Sequence, residues 1–147
     1  MAKIRITKAF NFEMAHALKD HDGACRNIHG HTYELFVTIF GEPRMQDGHP
    51  ANGMIMDFKM LKEIVNKHIV HHYDHAFVVS RKSPWANDPG AMNCKLIVLP
   101  FEPTSENLVA EFAHILNDVL PADAKLHSLR LRETTTAYAE WFASDNQ

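Results

Sequence analysis

The chain of 147 residues is 46% hydrophobic and 22% charged, a composition that predicts one globular domain over residues 1–147 with a substantial core. Its formal net charge of −3, with basic residues scattered along the chain, gives no indication of a nucleic-acid partner or an anionic membrane partner. No apolar run approaches the roughly 20 residues of a membrane span, and the N-terminal residues lack the apolar core of a signal peptide, so we expect a cytoplasmic protein.

Two strands are predicted in the first third of the chain. Residues 3–16 place apolar side chains at even positions and polar ones at odd positions, which is the period of a half-buried strand. Residues 18–28 are polar and typical of a turn, and residues 29–41 are rich in the β-branched and aromatic side chains that favour a second strand. Residues 42–53 have the glycines and prolines of a loop.

Two helices are predicted further along the chain. After Asp57 the apolar side chains recur every three to four residues, which predicts an amphipathic helix that begins with Asp57 as its cap and runs to about Tyr73. A second helix is predicted to begin after Thr104, with Glu106 in its first turn, and to end before Pro121.

Four further β-rich segments complete the pattern. Residues 76–80 and 95–99 flank a predicted loop at residues 83–90 and predict a small inserted hairpin, whereas residues 127–134 and 136–143 predict a final β-pair. The order strand, strand, helix, hairpin, helix, strand, strand predicts an α+β fold. In this fold a four-stranded antiparallel sheet carries two helices on one face.

The chain has 11 histidines, an unusual number, but only two cysteines. Two cysteines are too few for a disulfide framework, so each is expected to be a free thiol. Histidine is the commonest metal ligand and the usual proton carrier near neutral pH. The histidines are therefore the first place to look for a functional site.

The strongest local feature is the segment from Cys25 to His31, which contains His29-Gly30-His31. His29 and His31 are two residues apart on a predicted strand, so their side chains share a face, and Gly30 permits close backbone approach. His16 lies on the apolar face of the first strand, where an unpaired imidazole is costly, although one such histidine is more often a core residue. If the two strands pair, the three imidazoles converge, and three histidines with an open fourth position are typical of a catalytic zinc.

Cys25 has two possible roles beside this site. It could be a fourth zinc ligand, which would close the site and make it structural, or a thiolate that acts as nucleophile or base beside the metal. The polar loop that contains Cys25 favours exposure and hence reactivity. Cys94 stands beside a predicted strand and is expected to be inert.

Asp74 and His75 follow the first predicted helix. A carboxylate next to an imidazole can orient it and raise its basicity, as in an acid/base pair. His68, His71, His72 and His75 also lie at helical spacings, so a second metal site is an alternative. A polar helix end, where imidazoles suit the helix dipole, explains the first three more simply.

Glu133 stands at the end of an apolar row on a predicted strand, after Leu129 and Leu131. A carboxylate in that position needs a partner. The paired N–H donors on the edge of a pterin or guanine ring would suit it bidentately, and so would an arginine in a salt bridge at the strand end. The sequence alone leaves both open.

The motifs of this chain resemble those of the 6-pyruvoyl-tetrahydropterin synthase family, and more closely its bacterial branch, the 6-carboxy-tetrahydropterin synthases of queuosine (7-deazaguanine) biosynthesis. The resemblance covers nearly the whole chain, and the spacing from Cys25 to His29 matches the bacterial branch. The motifs stand in the family's order: Phe12 to His16, Cys25 to His31, Met56 to Phe58, Asp74-His75, Pro103 to Asn107 and Arg132 to Thr134.

The resemblance implies a fold, an assembly and a set of functional residues. The fold is the tunnelling fold (T-fold), in which subunits join their sheets into a barrel, and the assembly is a homohexamer of two stacked trimers with active sites at subunit interfaces. The implied roles are zinc binding by His16, His29 and His31; proton abstraction by Cys25; a second acid/base pair, Asp74 and His75, often from a neighbouring subunit; and pterin anchoring by Glu133 near Thr104 and Ser105.

The implied reaction converts 7,8-dihydroneopterin triphosphate to 6-carboxy-5,6,7,8-tetrahydropterin with release of acetaldehyde and triphosphate. A pyruvoyl product, formed by triphosphate elimination, and a non-catalytic zinc- or pterin-binding protein are the alternatives. Three features depart from the bacterial pattern: Arg26 replaces a small residue, the insertion at residues 78–102 is longer than in the shortest members, and residues 134–138 are variant.

Overall fold

The fold is a single mixed β-sheet with helices on one face, seen here in a computed structural model that describes residues 2–87 and 93–147. Its strands lie in the order β4-β3-β1-β2-β5-β6. They are β1 (Ile4–His16), β2 (His29–Gly41), β3 (Ala76–Ser80), β4 (Lys95–Leu99), β5 (Lys125–Thr134) and β6 (Ala137–Phe142).

The helical segments are α1 (Phe58–Val65), a π-helical turn (Asn66–Val70), α2 (His71–Tyr73) and α3 (Ser105–Val119). The first three follow one another without a break from Phe58 to Tyr73. This confirms the prediction of one helical segment that ends near Tyr73. Within residues 2–87 and 93–147, no helix has the length and apolar character needed to cross a membrane.

Strands β1 and β2 form the centre of the sheet. They pair antiparallel along their whole lengths, with Ile4 opposite Gly41 and His16 opposite His29. The alternation predicted from the sequence is confirmed, because the buried side chains are Phe10, Phe12, Met14 and His16 of β1 and Tyr33, Leu35, Val37 and Ile39 of β2. The even row of β1 and the odd row of β2 therefore share one face of the sheet.

The helices cover this face. Phe12 stacks on Tyr33 with ring centroids 5.3 Å apart and meets the edge of Phe112 from α3 at 6.2 Å. Leu61 of α1 and Leu108 of α3 are completely buried in the same core. Each such side chain contributes roughly 1.5–3 kcal/mol when it leaves water, so this layer fixes the position of the sheet face that carries His16.

The predicted helix ends are confirmed. Asp57 caps α1 by accepting a hydrogen bond from the Lys59 amide at 2.8 Å. Thr104 caps α3 in the same way, accepting from the Asn107 amide at 3.2 Å. Helix α3 ends at Val119, because a residue before proline favours an extended backbone.

The predicted four-stranded antiparallel sheet with an inserted hairpin is wrong in two respects. In the described part of the chain the sheet has six strands, because β3 and β4 join it, and β3 runs parallel to both β1 and β4. A hairpin needs a tight turn, whereas residues 81–94 form a connection long enough for a parallel crossover. All five residues of β3 are buried, as expected for an internal parallel strand.

The predicted loop at residues 83–90 is described only in part. Pro84–Asn87 form a turn of 3₁₀ helix, and residues 88–90 lie outside the described residues. The final β-pair is confirmed as β5 and β6, which run antiparallel.

Candidate metal centre and its surroundings

Three histidines converge where β1 ends and β2 begins. His16 lies directly opposite His29 across the strand pair, and His31 lies opposite Met14. One ring nitrogen of each histidine lies within 4.8 Å of the others, and across residues 2–87 and 93–147 this is the one such group of three ligand-type side chains. A Cβ at Gly30 would lie 3.3 Å from the Met14 carbonyl oxygen, so glycine lets the two backbones approach closely here. The predicted convergence is confirmed.

Backbone carbonyls orient two of the three imidazoles. The Nδ1 atom of His16 lies 2.8 Å from the Pro103 carbonyl oxygen, and Nδ1 of His29 lies 2.8 Å from the Asn27 carbonyl oxygen. Since a carbonyl only accepts hydrogen bonds, Nδ1 carries the proton in each ring and Nε2 is the free acceptor. This tautomer is the one that imidazoles adopt when Nε2 binds a metal.

The free nitrogens lie beside a carboxylate. The Nε2 atoms of His16 and His31 are buried and have no hydrogen-bond partner among the described residues, and Glu133 Oε1 lies 3.5 and 3.4 Å from them. Lone pairs that face a carboxylate repel it unless a proton or another cation lies between them. Burial lowers the pKa of both histidines, against the opposing effect of the Glu133 charge, so protonation is disfavoured. The donor set therefore fits a metal cation.

Glu133 belongs to this site and forms no arginine salt bridge among the described residues. The neighbouring arginines of β5 pair elsewhere: Arg130 lies 3.2 Å from Glu140, and Arg132 lies 3.9 Å from Glu34. The salt-bridge explanation of Glu133 is therefore wrong. Its carboxylate remains available to bind a ligand beside the histidines.

Tyr33 is a residue of this site that the sequence reasoning missed. Its hydroxyl lies 3.4 Å from Glu133 Oε1 and 3.5 Å from His16 Nδ1. Burial raises the pKa of Tyr33 well above its usual range, and the nearby Glu133 carboxylate raises it further. The signal was present in the sequence, because Tyr33 continues the row of His29 and His31, and a buried tyrosine hydroxyl needs a polar partner.

Cys25 is not one of the converging group of side chains. It is half-buried on a 3₁₀ turn, Ala24–Arg26, so the exposure that its polar loop favoured is only partial. Its carbonyl accepts a hydrogen bond from the Leu18 amide at 2.8 Å, which closes the loop. The adjacent Lys19 amide donates to Glu102 Oε1 at 2.9 Å. This loop is thus tied to the segment whose Pro103 carbonyl orients His16.

Thr104 and Ser105 stand next to Pro103 at the start of α3. The Thr104 hydroxyl is engaged as the helix cap. The Ser105 hydroxyl is buried and has no partner among the described residues, so it is the freer of the two to meet a ligand. Their predicted role in substrate binding stays a prediction.

Asp74 and His75 form a close pair in the turn between α2 and β3. The Asp74 Oδ1 atom lies 3.0 Å from His75 Nδ1 and accepts a hydrogen bond from the Glu13 amide at 2.9 Å. These contacts, with the amide bond first, lower the pKa of Asp74. His75 lines an open groove of about 460 Å³ with Glu13 and Thr32. Those two residues belong to the rows of β1 and β2 that face away from the helices.

Asp74 and His75 therefore do not belong to the converging group of three histidines. Glu13 alternates with His16 along β1, so its side chain points to the other face of the sheet, although His31 also lines the groove beside His75. The alternative second metal site is not formed either: His68, His71 and His72 do not converge with His75. His72 instead meets the ring of Tyr73 edge-on, with centroids 5.0 Å apart.

Sequence comparisons connect this arrangement to known proteins. A sequence model of the family described as 6-pyruvoyl tetrahydropterin synthase matches residues 5–144. A 6-carboxy-5,6,7,8-tetrahydropterin synthase from Haemophilus influenzae is 39% identical over 143 residues, which cover 93% of this chain and 97% of that protein. A protein of the same name from Synechocystis is 32% identical over 139 residues, covering 94% and 92% of the two chains.

Solved structures share the fold at lower sequence identity. An uncharacterized protein from Wolinella succinogenes superposes with a TM-score of 0.80 at 20% identity, covering 97% of this chain and 99% of that one. The 6-pyruvoyl tetrahydropterin synthase of Caenorhabditis elegans gives a TM-score of 0.70 at 22% identity, covering 97% of each chain. These likenesses confirm the expected tunnelling fold (T-fold).

Proposed function

The chain belongs to the 6-pyruvoyl tetrahydropterin synthase family, and on this premise we propose that it is a zinc-dependent lyase of the 6-carboxy-tetrahydropterin synthase branch. Its substrate would be 7,8-dihydroneopterin triphosphate, its products 6-carboxy-5,6,7,8-tetrahydropterin, acetaldehyde and triphosphate, and its pathway queuosine biosynthesis. The names of the sequence relatives support the branch. The observation that carries the proposal is the convergence of three imidazoles beside the Glu133 carboxylate.

His16, His29 and His31 would hold the zinc through their Nε2 atoms. Three neutral imidazoles suit zinc, and three protein ligands leave a position open for substrate. Zinc in that position would supply a Lewis acid that binds the side-chain hydroxyls of the substrate and acidifies the adjacent carbon. The carbonyls of Pro103 and Asn27 would keep the first two rings in the binding tautomer.

Glu133 would hold the pterin ring. Its carboxylate has no arginine partner among the described residues, and a carboxylate matches two adjacent ring N–H donors. Tyr33 would donate to the same carboxylate and keep its orientation.

Cys25 would remove a proton from the substrate carbon, and Asp74 with His75 would form the second acid/base pair. Cys25 is a free, half-buried thiol, which supports a role as reagent. The 3.0 Å contact between Asp74 and His75 supports their action as a pair.

We further propose a homohexamer of two stacked trimers, in which a neighbouring subunit supplies Asp74 and His75. The support is geometric: within one chain neither Asp74 nor His75 belongs to the converging histidine group, and the Glu13 and Thr32 side chains beside His75 face away from the helices. A mixture of the inactive variants Cys25→Ala and His75→Ala, reassembled together, should then regain activity. A mixture that stays as inactive as its parents would contradict a shared site.

The direct test is incubation of purified protein with 7,8-dihydroneopterin triphosphate, followed by mass spectrometry of the products and metal analysis of the protein. Acetaldehyde released together with triphosphate supports the carboxy branch. Triphosphate released without acetaldehyde supports the pyruvoyl alternative instead.

The role of Cys25 separates a catalytic site from a closed structural one. Cys25→Ala should keep the full zinc content and lose turnover, whereas Cys94→Ala, which removes the exposed second thiol, should keep both. Loss of zinc together with Cys25 would support a non-catalytic zinc protein in which Cys25 is the fourth ligand.

A further inference from the structure

The turn that carries Asp74 and His75 has an uncommon backbone. His75 adopts a φ of 60°, in the left-handed region that non-glycine residues seldom occupy. Such a conformation persists only when surrounding contacts hold it in place. The contacts around this turn therefore show what keeps the pair in position.

Two of these contacts come from neighbouring backbone. The Asp74 amide donates to the Val70 carbonyl oxygen at 2.8 Å, which continues the helix into the turn. The His75 amide donates to the Glu13 carbonyl oxygen at 2.6 Å, and the Glu13 amide donates in return to Asp74 Oδ1 at 2.9 Å. Together they fix the amide side of the turn to β1.

Within residues 2–87 and 93–147, the side chain that holds the carbonyl side of the turn is that of Lys95. Its ammonium group donates to the carbonyl oxygens of His71 at 2.8 Å and Asp74 at 3.0 Å. The Asp74 carbonyl belongs to the peptide group that joins Asp74 to His75, so this hydrogen bond acts on the plane that sets the relative direction of the two side chains. The ammonium also stands at the C-terminal end of α2, where a cation is favourable.

Strand pairing places the backbone of Lys95 beside the turn. It is the first residue of β4, and it pairs in register with Ala76, the residue that follows His75. The parallel pairing of β3 with β4, which the sequence did not predict, therefore brings this lysine to the turn.

We propose that Lys95 is a positioning residue for the Asp74-His75 pair. It holds the peptide between them in the orientation that allows the 3.0 Å contact of Asp74 Oδ1 with His75 Nδ1. The inference rests on the proposed function, because that function gives the pair its role in proton transfer. Lys95 touches no reacting atom in this scheme and acts only through the turn.

The test compares Lys95→Met with Lys95→Arg and with Lys125→Met in the assembled, zinc-loaded enzyme. Lys125 is the matched control, since it is also an exposed lysine at the first position of a strand, β5, on the other side of the sheet. Lys95→Met should lower kcat by about tenfold or more with KM changed less than about twofold, because misplacing a catalytic group affects the chemical step. Zinc content should stay the same, and Lys95→Arg, which still donates to carbonyls, should recover most of the loss.

Amide hydrogen exchange at His75, followed by NMR, reports on the turn without any assay of activity. It should be faster in Lys95→Met than in Lys125→Met. Wild-type kcat and unchanged exchange in Lys95→Met would overturn the inference while the proposed function stands. If the wild-type protein shows no synthase activity, the proposed function fails, and the exchange rate alone then tests whether Lys95 holds the turn.

Discussion

Metal removal should destabilise the fold by an amount that the histidine cluster sets. Two buried ring nitrogens, Nε2 of His16 and Nε2 of His31, have no partner among the described residues. An unsatisfied buried polar group costs about 1–3 kcal/mol, so the pair costs the metal-free protein about 2–6 kcal/mol. A bound cation satisfies both nitrogens and also neutralises the nearby Glu133 carboxylate.

The size of the effect can be compared with binding thermodynamics. A ligand present at about 1,000 times its Kd stabilises the folded state by about 4 kcal/mol, which lies within the range obtained from the two nitrogens. For a chain of this length, each kcal/mol shifts Tm by about 2–4 °C. Zinc added to chelator-treated protein should therefore raise Tm by about 8–16 °C.

The assay is calorimetric or fluorescence-detected unfolding with and without zinc, in wild type and two variants. His31→Ala removes one ligand that is 19% exposed, so the variant should fold but lose most of the zinc-dependent shift. His127→Ala is the matched control, because His127 is also a half-buried strand histidine but lies on β5 outside the cluster. It should keep the full shift. A zinc-dependent shift that is equal in all three proteins would refute the assignment of the site.

Three further predictions follow from the site and its supports. Glu133→Gln should leave Tm nearly unchanged but raise the Kd for a pterin by about 10- to 100-fold, the equivalent of one charged hydrogen bond, and calorimetric titration showing equal Kd values would contradict this role. Burial lowers the folded-state pKa of His16 and His31 below the unfolded value near 6.5, so the unfolded state binds more protons in that window. The metal-free protein should therefore be most stable above about pH 6.5 and lose stability as pH falls towards the lowered pKa values, and urea unfolding with the same midpoint at pH 7.5 and pH 5.5 would speak against it. Thr104→Ala removes the α3 cap and should cost about 0.5–2 kcal/mol of unfolding free energy; the urea midpoint measures this, and an unchanged midpoint would show that the cap is dispensable.

The central part of the fold was predictable because its signals are local. The alternation in β1 and β2, seen in rows such as Phe10 to Met14, specifies which side of each strand is buried. Asp57 and Thr104 mark helix starts through their own hydrogen-bonding chemistry. The convergence of His16 with His29 and His31 then follows once the two strands pair along their whole lengths.

The parts that were not predictable depend on distant partners or on backbone atoms. Nothing in residues 76–80 specifies that they pair parallel with β1 instead of antiparallel with residues 95–99, because strand partners are chosen by tertiary packing. The carbonyls of Pro103 and Asn27 orient the imidazoles. Every residue has a backbone carbonyl, so the side-chain sequence does not show which ones accept these hydrogen bonds. The same holds for the Asp74 carbonyl that Lys95 binds.

The left-handed backbone at His75 places thermostability and chemistry in opposition at one position. A non-glycine residue in this conformation lowers the free energy of unfolding by roughly 1–2 kcal/mol relative to glycine. The side chain of His75 is 77% exposed, so its packing contributes little stability in compensation. A library selected only for heat resistance should therefore enrich glycine or asparagine at this position. Such proteins would unfold at higher temperature and keep the three clustered histidines, but they would lack the His75 imidazole that the proposed reaction requires. Selection of this chain for stability alone would therefore select against the proposed activity.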